Sequence, residues 1–137
     1  MNDCIFCKIV SGEIPSEKVY EDEETLAFLD IRPVNKGHTL VIPKKHCGNV
    51  FDMPEEAWLS MMRTAQKIAP AIKKAVGAVG MNINTNNERA AGQLVFHAHA
   101  HLIPRFENDG YKLWPQHPYP EGEAKEVAEK IKTSLQS

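Results

Sequence analysis

Residues 96–102 read Phe96-His97-Ala98-His99-Ala100-His101-Leu102, a strict alternation of apolar residues with histidines. Side chains two apart share one face of a strand, whereas a helix points them in different directions. The alternation predicts a strand over residues 94–104. Its three imidazoles would stand in a row about 6–7 Å apart, with Phe96, Ala98, Ala100 and Leu102 turned to a core. A solvated, histidine-rich polar face is the plain alternative. Against it, three of the six histidines fall on these alternate positions. Imidazole titrates near neutrality, so each ring can serve as nucleophile, proton donor or metal ligand, and neighbours in different environments can divide those tasks.

The rest of the chain offers partners for such a strand. Residues 4–10 read as an apolar turn or a single helical turn, broken by Ser11-Gly12 and Pro15. Residues 18–20 and 25–30 read as short strands joined by the acidic turn Glu21-Asp22-Glu23-Glu24, and residues 38–42 as a β-rich run closed by Pro43. Trp58, Met61, Met62, Ala65, Ile68, Ile72 and Val76 then recur at helical spacing. Asp52 reads as the cap of that helix, Pro54 as a first-turn residue, Pro70 as a kink, and Gly77 and Gly80 as its end. Residues 81–84 read as a strand, 86–92 as a polar loop, and Asn108-Asp109-Gly110 as a turn. Ala124, Val127, Ala128, Ile131 and Leu135 mark a last amphipathic helix, supported by Glu126 four residues before Lys130. Strands joined by short turns, with helices between, predict an α+β layer fold with the helices on one side of an antiparallel sheet.

Length and charge narrow the function. A chain of 137 residues fits one domain that can bury a core without disulfides. A net charge of −2 gives no basic footprint for nucleic acid or for a membrane surface, so an anionic ligand needs local donors. No apolar run is long enough to cross a bilayer, and Met1-Asn2-Asp3-Cys4 lacks the basic and apolar regions of a secretory signal. Three cysteines, an odd number, argue against a disulfide framework. A cytoplasmic location is expected. Cys4 and Cys7 form a C-x-x-C pair, half of a tetrahedral zinc site that His46 and one member of the histidine run would complete. Two buried cysteines acting as small apolar groups are the plain reading of the pair. A redox role is weaker without βαβ units around it.

The segment from His97 to Ile103 resembles the His-φ-His-φ-His-φ-φ motif of the histidine-triad (HIT) family, with alanine as a small φ. Cys4-Ile5-Phe6-Cys7-Lys8-Ile9, Ala27-Phe28-Leu29-Asp30-Ile31, the segment from Gly37 to His46, and Ala91-Gly92-Gln93 agree in order and spacing. The pattern is most similar to the Hint-like branch in its zinc-containing bacterial and archaeal form. The resemblance implies a HIT-like α+β fold: a five-stranded antiparallel sheet with a long helix and a C-terminal helix. It implies one domain over 1–137, with a core over 1–110 and a C-terminal segment and helix over 111–137. It also implies a homodimer formed through the helix of residues 54–76 and the strand of residues 81–84. Structural zinc would be held by Cys4, Cys7, His46 and His97. With four protein ligands such a site is closed.

By the same resemblance His99 is the nucleophile, attacking the α-phosphorus of a nucleotide, and His101 assists the leaving group. Asp30 would accept from the ribose hydroxyls. Phe6, Ile9, Phe28, Ile31 and Leu40 would enclose the base. Asn86 and Gln93, with the backbone N–H groups near Gly92 to Val95, would face the phosphate. His38 would play a supporting role and His117 would lie in solvent.

The implied activity is hydrolysis of purine nucleoside 5′-phosphoramidates, of AMP–amine type, through a nucleotidyl-histidine intermediate, with AMP as product. Hydrolysis of dinucleoside polyphosphates, Fhit-like, is the close alternative, and a nucleotide-binding module with weak catalysis is another. Two positions depart from the family pattern. Glu88 replaces a frequent glycine and is expected to point to water. Leu94 replaces a frequent Ser or Thr, which removes one hydrogen-bond donor from the phosphate site.

Overall fold

The computed structural model describes residues 3–137. Its elements are α1 (Ile5–Ser11), β1 (Lys18–Glu21), β2 (Thr25–Leu29), β3 (Thr39–Pro43), α2 (Glu55–Val76), β4 (Gly80–Thr85), a 3-10 turn (Arg89–Ala91), β5 (Ala100–Arg105) and α3 (Glu123–Leu135). The five strands form one antiparallel sheet in the order β1-β2-β3-β5-β4.

Both faces of this sheet are apolar at its centre. On one face Ala27, Val41, Ala100 and Leu102 pack against Met61, Ala65 and Ile68 of α2. Small residues at 27 and 100 leave room for the helix, and a buried hydrogen bond of 2.7 Å joins Thr25 of β2 to Thr64 of α2. On the other face Leu26, Phe28, Leu40 and Ile42 pack against Phe6 and Ile9 of α1. The helices therefore lie on both sides of the sheet, not on one. The physical reason is the make-up of β2 and β3, which are buried on both faces and need a cover on each. The short N-terminal helix, longer than the single turn expected, supplies the second cover.

The long helix α2 runs unbroken through Pro70 and ends at Gly77, whose left-handed φ of 69° lets its N–H reach the carbonyls of Lys73 and Lys74. Asp52 does not cap it. Its carboxylate instead accepts from the N–H groups of Gly48 and Asn49, closing the loop before the helix, and Pro54 is the N-cap residue without a side-chain bond. Helix α3 has no buried residue; its Glu126–Lys130 pair stands at 3.6 Å. Among the described residues no helix is long and apolar enough to cross a membrane.

The largest departure from expectation concerns the histidine run. Strand β5 begins only at Ala100, so His101 alone is within the sheet. The chain from 94 to 99 runs beside the loop that follows β3, with the N–H of Ala98 donating to the Cys47 carbonyl at 2.7 Å. The carbonyls that a longer ladder would use are taken by side chains: His97 donates to that of Pro43 and His99 to that of His97. Such local side-chain bonds compete with sheet pairing.

Candidate active site and metal cluster

Each histidine of the run has its hydrogen assigned by its neighbours. The Nε2 of His97 lies 2.7 Å from the Pro43 carbonyl. A carbonyl only accepts, so Nε2 carries the hydrogen and Nδ1 keeps a lone pair. His99 is reversed: its Nδ1–H donates to the His97 carbonyl at 2.7 Å, leaving Nε2 unprotonated. His101 depends on His38, which is 3% exposed. The backbone N–H of Val34 donates to Nδ1 of His38 at 3.0 Å. The hydrogen of His38 is therefore on Nε2 and is donated to Nδ1 of His101, also at 3.0 Å. His101 in turn holds its hydrogen on Nε2.

Burial keeps these rings neutral. Desolvation lowers the pKa of His99, which is 8% exposed, and of His38. His101 falls to about 4, first by desolvation and then through His99 and His38. Phe6 fixes the ring of His99 by an edge-on contact at 5.1 Å between centroids. The rings of His99 and His101 are 4.9 Å apart, closer than the spacing of an extended ladder because His99 precedes the strand.

His99 and His101 line a cavity of about 390 Å³, within the range of small-molecule sites. Phe6, Ile9, Phe28, Ile31 and Leu40 form apolar wall, and Asp30, Asn86, Gly92 and Val95 also reach it. Gln93 does not. It is 2% exposed, and its amide braces the loop internally: the oxygen accepts from Asn49 and from the N–H of Glu88, and the nitrogen donates to the carbonyls of Gly48 and Val95. Glu88 does not line the cavity and is exposed to water, as expected. Its carboxylate accepts from the Asn49 amide at 3.0 Å, while its backbone sits at φ 79°, ψ 159°. That region is close to exclusive to glycine, which explains why glycine suits this position. A wider surface depression of about 770 Å³ along α3 is lined by Lys125, Glu126, Glu129 and Lys130 and brings together no such set of groups.

The lone pair of His97 faces a second constellation. Ligand atoms of Cys4, Cys7, His46 and His97 all lie within 4.8 Å of one another. Nδ1 of His97 is 3.4 Å from Sγ of Cys4 and 3.6 Å from that of Cys7, and Nδ1 of His46 is 3.4 Å from Sγ of Cys7. Zinc bonds of about 2.3 Å to sulfur and 2.0 Å to nitrogen, at tetrahedral angles, put neighbouring ligand atoms about 3.6 Å apart. The donor set fits zinc, and the Pro43 carbonyl on His97 is the outer bond that such a ligand needs. Asp30, His38 and His101 also cluster, but Nδ1 of His38 already accepts from Val34. Ligation through its Nε2 would demand an imidazolate, so the hydrogen-bonded reading stands.

The HIT domain family model matches residues 11–108. The chain belongs to the HIT family. A HIT-fold structure from Streptococcus mutans is 50% identical, covering 98% of this chain and 87% of that one, with a TM-score of 0.94. A zinc-bound histidine triad family protein from Mycobacterium smegmatis is 40% identical, covering 98% and 96%, with a TM-score of 0.76. An adenosine 5′-monophosphoramidase of Schizosaccharomyces pombe is 41% identical over 135 residues, which are 96% of this chain and 98% of that protein. In this HIT chain the cavity has further walls that sequence reading passed over: Ile5, Ile14, Pro15, Ser16 and Leu29. Ile14-Pro15-Ser16 carries only a chain-breaking signal. Leu94, one of the family departures, is 91% exposed and also lines this cavity.

Proposed function

We propose that this chain hydrolyses purine nucleoside 5′-phosphoramidates through a covalent nucleotidyl-His99 intermediate. The observation that carries the reading is the state of His99: a neutral ring on a cavity wall, its Nδ1–H held by a carbonyl and its Nε2 lone pair unclaimed. A nucleophile needs that lone pair free. The phosphoramidase name of the fission-yeast relative supports the leaving-group class.

In this reading the base enters among Phe6, Ile9, Phe28, Ile31 and Leu40, and Asp30 accepts from the ribose hydroxyls. Nε2 of His99 attacks the α-phosphorus, forming a nitrogen–phosphorus bond as the bond to the leaving amine breaks. His101 presents Nε2–H to the departing nitrogen. Nδ1 of His101 already accepts from His38, so His101 stays neutral and steadies the departing nitrogen through that one hydrogen bond, while the proton the amine needs comes from solvent and the amine leaves neutral. Water then attacks the phosphorus, AMP is released and His99 regains its lone pair. Asn86 and the backbone N–H groups of residues 92–95 would hold the phosphate oxygens; Gln93 acts by bracing that loop. Leu94 offers no hydroxyl, which lowers turnover by about tenfold or more for one lost charge-assisted bond.

Zinc would be held by Cys4, Cys7, His46 and His97, and when bound it would tie α1 to the segment carrying the triad, with no open position for catalysis. We also propose that two copies pair through α2 and β4. Strand β4 is a sheet edge, and Ile83 on it and Leu59 on α2 are about half exposed. Sedimentation that shows only monomer at micromolar concentration contradicts this pairing.

The test of the activity is intact-mass spectrometry after mixing with an AMP conjugate of a fluorogenic amine. One adenylyl group on His99 is expected. His99→Ala should lose more than about 10³-fold in turnover while keeping its AMP affinity within a few-fold. Full turnover by His99→Ala, or a label on another residue, overturns the reading.

A further inference from the structure

Ser16 lies in the link between α1 and β1, and with Ile14 and Pro15 it walls the same cavity as Phe6, Ile9 and Phe28. Its Oγ is shielded from water and has no hydrogen-bond partner among the described residues. It is the sole buried side-chain polar atom of which that is true there. An unpaired, shielded hydroxyl destabilises a fold, and each instance calls for an explanation. The cavity's own polar groups do not supply one: Asp30 engages the N–H of Arg32, His99 the His97 carbonyl, and His101 the ring of His38. The apolar residues around Ser16 offer no side-chain partner.

We propose that Ser16 is a base-recognition residue, its hydroxyl completed by the polar edge of a purine lodged against Phe6, Ile9 and Phe28. This inference rests on the nucleotide reading of the cavity and adds the group that selects the base. Rotation about χ1, between staggered wells, turns Oγ from its shielded position toward a ligand that fills the cavity. A hydroxyl both donates and accepts, so it serves adenine and guanine alike. It offers nothing to a ligand that has ribose and phosphate without a base.

The test is calorimetric titration of wild type and Ser16→Ala with AMP, GMP and ribose 5-phosphate, beside thermal melts of both free proteins. Loss of one net hydrogen bond weakens AMP and GMP by about five- to tenfold. Ribose 5-phosphate should bind both proteins equally. The free variant should melt no lower than wild type, because an unpaired hydroxyl has been removed. Unchanged AMP affinity in Ser16→Ala, or equal weakening of AMP and ribose 5-phosphate, overturns the role of Ser16 and leaves the nucleotide reading standing. A wild-type chain that binds none of the three ligands overturns the nucleotide reading itself.

Discussion

A single residue separates His97 from His99, and the fold gives their rings opposite tautomers. The His97 ring donates from Nε2 to the Pro43 carbonyl and turns its Nδ1 lone pair to the two cysteines. The His99 ring donates from Nδ1 to the His97 carbonyl and keeps its lone pair on Nε2. Residue type is the same on both sides, and both rings are buried. Which backbone carbonyl each ring meets decides whether the lone pair serves a metal or a phosphorus atom. One stretch of chain thus joins a stabilising cluster to a reactive wall, and damage to either side should be separable.

Breaking the cluster side is expected to give the larger stability effect. Cys4→Ser should lower the melting temperature by at least about 5 °C, since metal binding and folding are coupled and 1 kcal/mol shifts a domain of this size by several degrees. Zinc per chain, by elemental analysis, should fall with it, while turnover per folded molecule changes less than about threefold. Unchanged stability with lost activity would place the cluster in the chemistry instead.

On the cavity side acid should act through the buried neutral rings. Burial lowers the pKa of His101 from 6.5 to about 4, and of His38 and His99 in the same direction. As pH falls the unfolded chain binds protons first, so stability present above about pH 6.5 is lost progressively toward pH 4. Urea midpoints across that range should drop for wild type and drop less for His101→Gln. Equal slopes would show that His101 is not held neutral.

The smallest effect belongs to the loop beside both regions. Glu88→Gly relieves a backbone conformation that costs a side chain about 1 kcal/mol or more, and loses one contact to Asn49. Chemical denaturation should show a gain of about 1 kcal/mol, and a net loss would mean that the Asn49 contact outweighs the strain.

Much of this was legible in the residues, for identifiable reasons. The alternation separates Ala98, Ala100 and Leu102, all buried, from the histidines, because side chains keep alternating along extended backbone even where the sheet's hydrogen bonds stop short; Phe96, expected on the same core face, is instead 42% exposed, because it lies well before the strand begins. The C-x-x-C spacing on one helical turn put both thiols together, with Sγ of Cys4 accepting from the N–H of Cys7. The rest depends on contacts distant in sequence. No local signal tells that the Pro43 and His97 carbonyls would bind imidazoles and that β5 would begin only at Ala100. Asp52 has the right chemistry for a cap, but the Gly48–Asn49 turn competes for its carboxylate. Gln93 lies in the matching motif, yet four internal bonds hold it out of the cavity. Ser16 had no pattern at all; only its missing partner marks it.

The central claim is that His99 is neutral with its lone pair on Nε2 while His97 keeps its lone pair on Nδ1. Imidazole ¹⁵N spectroscopy on histidine-labelled protein at neutral pH measures this directly. The account predicts an unprotonated Nε2 and protonated Nδ1 for His99, and the reverse for His97. A protonated Nε2 on His99, in either a neutral ring or an imidazolium, would contradict it.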